Sequence, residues 1–372
     1  MNYLCYLGHP AHYHLFKHVI TNLKHLGHEV RVLCKTKDIL GQLLEREGVA
    51  HENILPEGRR DGKLGLMMGM LKRDVRLWQF VRQWRPDLMF GTSVEMAHVG
   101  RLLGIPYINV NEDDAAAVSL YAKLSYPGAT AILSPVSCDN ARWEKKSIKY
   151  AGYHELAYLH PDHFQPQSKI VDAYFPHDEP FFILRFARLA AHHDQGVKGI
   201  TPEIARQLIR KLSGQGKVYI TSERPLESEF EPWRLAIDPV HMHHILAFAR
   251  LYIGDSQTMA AEAGVLGTPF IRFNDFVGRL GYLDELENTY RLGFGIRTSE
   301  VQTLYETVDR LLAKAETMDF AGRRQTMLDD KISVAEFMTW VFAHYPDSLE
   351  QLRQDPSIQY HISSLNAIGK NA

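Results

Sequence analysis

Residues 254–258, Gly-Asp-Ser-Gln-Thr, followed by Glu262, put small polar groups at the start of a run of helix-forming residues. A helix beginning near Ser256 presents free backbone N–H groups and the positive end of its dipole, a setting that suits an anion. Small side chains let a phosphate approach the backbone, and the hydroxyls of Ser256 and Thr258 add donors. Glu262 lies four residues after Thr258, one turn along the same face, where a carboxylate can accept hydrogen bonds from ribose hydroxyls. Gly264 and Gly267 allow a sharp helix end and close packing of the next strand. An ordinary N-capped helix with a solvent-facing glutamate fits the same spacing.

A second group follows the first apolar run. Gly8 precedes His12, His14 and His18. His14 and His18 form an i, i+4 pair, but no third ligand stands at a recognisable metal spacing. A neutral imidazole there can instead take a proton from a hydroxyl near neutral pH, and a capping role also fits. Glu95 and Glu112 follow the runs "DLMFG" and "PYINV", so both carboxylates sit at strand ends. Acids at helix N-termini, Asp113 and Asp114 above all, can equally complement a helix dipole. Arg185 ends the run "PFFILR", and His192, His193 and Asp194 follow as an alternative metal set. Ser222, Glu223 and Arg224 follow "KVYIT", and His241 and His244 occur on "HMHHILAFAR".

The elements that position these groups alternate. Short apolar runs at 2–8, 29–35, 87–91 and 106–111 are separated by segments of helical periodicity, the longest at 64–86. The pattern resumes near residue 180 with runs at 180–186, 217–223, 251–255 and 269–274. Such alternation predicts parallel sheets with helices on both faces, α/β class. Ligands in such sheets bind beyond the carboxyl ends of the strands, and two similar halves imply a cleft between them. The expected organisation is an N-terminal Rossmann-like domain over 1–165, a second over 166–345, and a tail over 346–372 that packs back on the first. The segment 160–180 reads as a linker, and the tail from about 352 as loosely held.

The composition sets bounds. The 372 residues are 45% hydrophobic and carry a formal net charge of -2, which gives no global basic field for nucleic acid. Cys5, Cys34 and Cys138 are scattered, against a disulfide framework or a cysteine zinc site, and no stretch has the length and apolarity of a signal peptide or a membrane span. A cytoplasmic protein is expected. The 64–86 helix carries Lys72, Arg73, Arg76, Arg82 and Arg85. These fit a solvated face, or contact with the inner face of an anionic membrane.

The segment "GDSQTMAAEAGVLGTP" resembles the nucleotide-diphosphate loop of the GT-B group, which holds nucleotide-sugar glycosyltransferases and the non-hydrolysing UDP-N-acetylglucosamine 2-epimerases. The epimerases carry Asp-Ser-Gly-Gly followed by a glutamate pair. Asp255, Ser256 and Glu262 match, while Gln257 and Thr258 replace the glycines. A wider resemblance is to a bacterial and archaeal family of unknown function placed near those enzymes. It rests on "HPAHYHLFKHVI", "GHEVRVL", "RPDLMFGTS", "NEDD", "GYHELAYLHPDHF", "ILRF", "AHHD" and "NDFVGRLGYLDELE".

The resemblance implies a GT-B-like pair of Rossmann-like domains and a nucleotide-diphosphate sugar as ligand. It implies a glycosyltransferase building a cell-surface polysaccharide or glycolipid precursor on a glycan or lipid-linked acceptor, with no cofactor and no metal. His12 would be the general base and His14 the reserve. Arg185, Ser222, Glu223, Arg224, His241 and the 254–258 loop with Glu262 would bind the nucleotide sugar, and Gly8 would line the substrate site at the end of the first strand. The alternatives are a 2-epimerase using Glu95 and Glu112, though its Gly-Asp and Glu-Ala-Gly signatures are absent, and an inactive nucleotide-sugar binding protein.

Overall fold

A computed structural model describes residues 1–35, 39–55, 62–175, 179–187, 199–314 and 318–362. The chain divides into two compact units, one of residues 1–158 and 332–372, the other of residues 159–331.

Unit 1 is built on a seven-stranded parallel sheet in the order β3-β2-β1-β4-β5-β6-β7. The strands are β1 Asn2–Leu7, β2 Glu29–Cys34, β3 Glu52–Asn53, β4 Leu88–Gly91, β5 Tyr107–Val110, β6 Ala131–Pro135 and β7 Ser147–Tyr150. Between them run α1 Pro10–His25, α2 Leu40–Arg46, α3 Gly62–Trp84, α4 Val94–Leu103 and α5 Ser119–Ser125, with α6 Leu156–Leu159 where the chain leaves the unit. The central strands β1, β4, β5 and β6 are buried along almost their whole length, as a sheet covered on both faces requires. Strand order reverses between β1 and β4, so the carboxyl ends of these two strands form the switch point where parallel sheets leave a crevice. Gly91 ends β4 with φ +145, and a Cβ there would stand 2.9 Å from the Tyr6 carbonyl oxygen; glycine permits this close approach.

Unit 2 holds a five-stranded parallel sheet in the order β12-β11-β10-β8-β9. Its strands are β8 Phe181–Phe186, β9 Lys217–Ser222, β10 Leu251–Gly254, β11 Phe270–Phe273 and β12 Gly293–Ile296. Its helices are α7 Ser168–Asp172, α8 Pro202–Ser213, α9 Met242–Phe248, α10 Gln257–Leu266, α11 Gly281–Asp284, α12 Val301–Lys314 and α13 Phe320–Asp330. Thr201 caps α8 by accepting the Ile204 N–H, Pro202 takes the first helical position, and Ile204, Leu208 and Leu212 bury one face. Here the order reverses between β8 and β10, placing Arg185 and Gly254, which are register partners, at the switch point.

The chain re-enters unit 1 at Ile332, whose N–H bonds the Ala151 carbonyl at 2.9 Å, earlier than the expected tail at 346. Helix α14, Val334–Ala343, packs on α1, and Phe342 stacks on Phe90 at 4.5 Å. The segment expected to be loose from 352 holds the end of α15, Asp347–Gln354, and buried Gln359, which accepts the Ala151 N–H at 2.7 Å. Residues 363–372 lie outside the described set. The expected linker at 160–180 contains α7 and belongs to unit 2. Strands β6 and β7 are additions to the sequence pattern, which paused after β5.

Candidate functional site

In unit 2 the site is built at the end of β10. Ser256 is the N-cap of α10 and its hydroxyl accepts the Met259 N–H at 3.4 Å. That leaves the N–H groups of Gln257 and Thr258 at the first turn, and both residues are half-buried at its mouth. Gly254 is required here, because an added Cβ would collide with the Tyr252 hydroxyl and stand 2.8 Å from Arg185 Cβ. Asp255 is engaged by the backbone. Its carboxylate accepts the Ala187 N–H at 2.6 Å and the Ile200 N–H at 3.1 Å, which ties together the chain on either side of 188–198. Burial raises this carboxyl to about 6 despite those backbone donors.

Glu262 also differs from its expected setting. It is buried, and Oε1 lies 3.0 Å from His243 Nε2, so α9 is fastened to α10 by a Glu–His pair. His243, not His241 or His244, is the member of that helix facing α10. His241 Nδ1 meets the Tyr174 hydroxyl at 2.9 Å, and His244 Nδ1 accepts the Gln167 N–H at 3.1 Å. Ser222 is spent locally: its hydroxyl donates to the Arg224 carbonyl at 2.6 Å and accepts the Arg224 N–H. Arg224 bonds Glu227 at 3.0 Å and packs over Phe186 at 5.2 Å. Arg185 donates to Thr221 Oγ1 at 2.7 Å and pairs with Glu223, while its buried Nε has no partner among the described residues. His192, His193 and Asp194 lie outside the described residues. Among the described residues no group of three or more His, Cys, Asp or Glu could hold a metal ion.

In unit 1, His9 caps α1 by accepting the Ala11 N–H at 3.2 Å, and Pro10 follows at the first helical position. His12 Nδ1 accepts the Gly8 N–H at 3.1 Å. That bond places the proton of a neutral ring on Nε2, so His12 is arranged as an N–H donor. A base role would require Nδ1 to release Gly8. His14 packs its ring against Tyr158 at 5.2 Å. Glu95 is buried against Arg73 and accepts the Ser93 hydroxyl at 2.9 Å. Burial alone would raise its carboxyl, but the Arg73 guanidinium, helped by Lys35, holds it below the ordinary range. That carboxylate joins α3 to α4 and is poorly placed to exchange protons.

Beyond β5 the setting is different. Glu112 accepts the His154 backbone N–H at 2.9 Å and lies 3.3 Å from His154 Nδ1. Asn111 donates to the Asp113 carbonyl and to the Tyr126 hydroxyl, both at 2.9 Å, and Asp114 accepts the Asp139 N–H at 2.6 Å. Every neighbour of Asp113 is thus fixed, yet among the described residues its own half-buried carboxylate has no hydrogen-bond partner. Burial, reinforced by the Glu112 charge, raises it to about 7. Asp113 read from sequence as a helix-end acid. Its neighbours His154 and Glu112 are 42 positions apart, a proximity no local pattern carries.

A family model described as a protein of unknown function, DUF354, matches residues 5–334. The chain belongs to the DUF354 family. Among curated proteins no sequence match is found. Solved structures similar to this DUF354 chain include Staphylococcus aureus MnaA with UDP, at TM-score 0.66 and 14% identity over 93% of this chain and 97% of that one. The UDP-GlcNAc 2-epimerase of Neisseria meningitidis bound to UDP-GlcNAc aligns at 0.63 and 15%, covering 94% and 100%. The Streptomyces glycosyltransferase SsfS6 complexed with thymidine diphosphate aligns at 0.58 and 14%, covering 92% and 99%. The DUF354 chain therefore shares the GT-B fold, with two parallel sheets of seven and five strands. No described helix is long and apolar enough to cross a membrane.

Proposed function

We propose that the chain is a glycosyltransferase using a nucleotide-diphosphate sugar. The observation that carries this reading is the β10–α10 turn at the switch point of unit 2. First-turn N–H groups and the Arg185 Nε–H there are donors suited to a diphosphate. In the transfer, the bond from the sugar anomeric carbon to the diphosphate oxygen breaks and the electron pair leaves with the nucleoside diphosphate. A bond from the acceptor oxygen to that carbon forms, and the acceptor proton passes to a carboxylate. Asp113 fits that base better than His12, because its carboxyl is raised to about 7 and carries no hydrogen-bond partner among the described residues. Ser256 and Thr258 line the diphosphate side, and the helix dipole with Arg185 offsets the charge of the leaving group without a metal.

The acceptor proposed is a cell-surface glycan or lipid-linked precursor. On α3, Met68, Leu71 and Val75 form one stripe, each more than half exposed, with Lys72 and Arg82 beside it. Such a stripe suits peripheral contact with a lipid headgroup region. A nucleotide-sugar 2-epimerase is the second reading. It is favoured by the convergence of Glu112, Asp113 and His154, since removing and returning a proton at carbon requires more than one titratable group. The test is a thermal-stabilisation screen of UDP-, GDP-, CMP- and dTDP-sugars, then product analysis. A transferase consumes donor only with acceptor, an epimerase needs donor alone, and binding without turnover leaves a binding protein.

A further inference from the structure

Strand β10 places Tyr252 and Gly254 on one face of the unit 2 sheet, since alternate residues share a face. Tyr252 is fully buried, and among the described residues its hydroxyl has no hydrogen-bond partner. The ring runs along the strand toward its carboxyl end, because the hydroxyl occupies the space a Cβ on Gly254 would fill. Arg185 Cβ lies 2.8 Å from that same point, and Arg185 Nε is also buried, with no partner among the described residues. The Tyr252 hydroxyl and the Arg185 side chain therefore start from the same end of the sheet as the turn that opens α10, a helix of 10 residues. A buried hydroxyl left unpaired costs free energy, and native proteins rarely keep one without a use. Phenylalanine would fill the same volume at no such cost.

We infer that Tyr252 is a ligand-binding residue, whose hydroxyl, with Arg185 Nε–H, donates to a phosphate oxygen of a nucleoside diphosphate held at the β10–α10 turn. The inference rests on the nucleotide reading above and adds to it a residue that no sequence pattern marked. Burial pushes the Tyr252 phenol well above its ordinary range, so it stays a neutral O–H donor. The Asp255 carboxylate does not compete for these donors, since both its oxygens accept backbone N–H groups of Ala187 and Ile200.

The test is calorimetric titration of the full chain and of Tyr252→Phe with UDP, dTDP and GDP, together with thermal melting of both proteins without ligand. The expected result has opposite signs. Affinity for the nucleotide that binds the parent falls ~10-fold or more, the size of a hydrogen bond to a charged group, while the ligand-free variant melts no lower than the parent. Arg185→Lys keeps the charge, loses Nε–H, and is expected to weaken the same nucleotide. Equal nucleotide affinity in parent and Tyr252→Phe overturns the role of the hydroxyl and leaves the nucleotide site standing. A variant that melts well below the parent while binding as tightly assigns the hydroxyl to structure, against the inference. Failure of the parent to bind any of the three nucleotides overturns the site and the inference together.

Discussion

Each unit carries a glutamate held by a histidine, and the two pairs are built for different ends. In unit 2, His243 and Glu262 sit on α9 and α10, both buried, joined by one side-chain contact of 3.0 Å. In unit 1, His154 grips Glu112 through its backbone N–H and its ring, and Asp113, unpaired among the described residues, stands next in the chain. The first pair closes a polar gap between two helices. The second holds one carboxylate still beside another that titrates near neutral pH. A Glu–His pair is therefore not itself a sign of catalysis; the uncommitted group beside it is what separates a site from a fastener.

The strongest way to break this contrast is Asp113→Asn. A general base of the kind proposed for Asp113 supplies ~10²–10⁴-fold, so kcat on the donor identified by screening should fall by that factor while nucleotide affinity is unchanged. The parent rate should rise with pH through about 7 as Asp113 loses its proton, and the variant should lose that limb. Stability carries the same signature. The folded carboxyl binds its proton more tightly than the unfolded one, whose pKa is ~3.9. Its contribution is full below that value and is lost as pH rises through about 7. Denaturant melts should show a flatter pH slope in the variant. An unchanged kcat would return Glu112 or His12 to the base role.

Next in size is Glu95→Ala. It leaves the Arg73 guanidinium buried without its carboxylate, which should cost ~3–5 kcal/mol in urea unfolding. A loss below about 1 kcal/mol would show the pair is not the fastener described. Glu262→Ala should cost ~1–3 kcal/mol by orphaning His243, and a double-mutant cycle with His243→Ala should show coupling of similar size. Additive losses would free Glu262 for the ribose contact first expected of it. The smallest effect is expected for His12→Ala. An N–H donor is worth about tenfold in kcat, and the pH profile should keep the limb that Asp113→Asn removes. Loss of that limb in His12→Ala would restore the histidine as base.

The fold was legible because buried parallel strands write themselves as short apolar runs, and helices between them carry caps such as Thr201-Pro202. Strand β6, "AILSP", shows the same signal in weaker form, and β7 at the sheet edge, half-exposed, shows almost none. The β10–α10 turn was legible because its residues are contiguous. The fate of Glu262 was not, since its partner His243 lies 19 positions earlier on another helix. Side-chain commitment is a tertiary property. Arg185, Ser222 and Glu223 stand out in the sequence by position at strand ends, and the folded chain engages each in local bonds. Asp113 does not stand out in the sequence, because an acid at a helix end is common. Its distinction comes from His154 and Glu112 converging around it.

The central claim is that a nucleoside diphosphate binds on the first turn of α10. Thr258→Asp tests it most directly, because it places a carboxylate where the diphosphate would sit. An acid in a helix first turn complements the dipole, so the variant should melt no lower than the parent. Titration with UDP, dTDP and GDP should show at least one of them binding the parent and binding Thr258→Asp ~10-fold or more weakly. Undiminished affinity in Thr258→Asp, or no binding by the parent, would contradict the assignment.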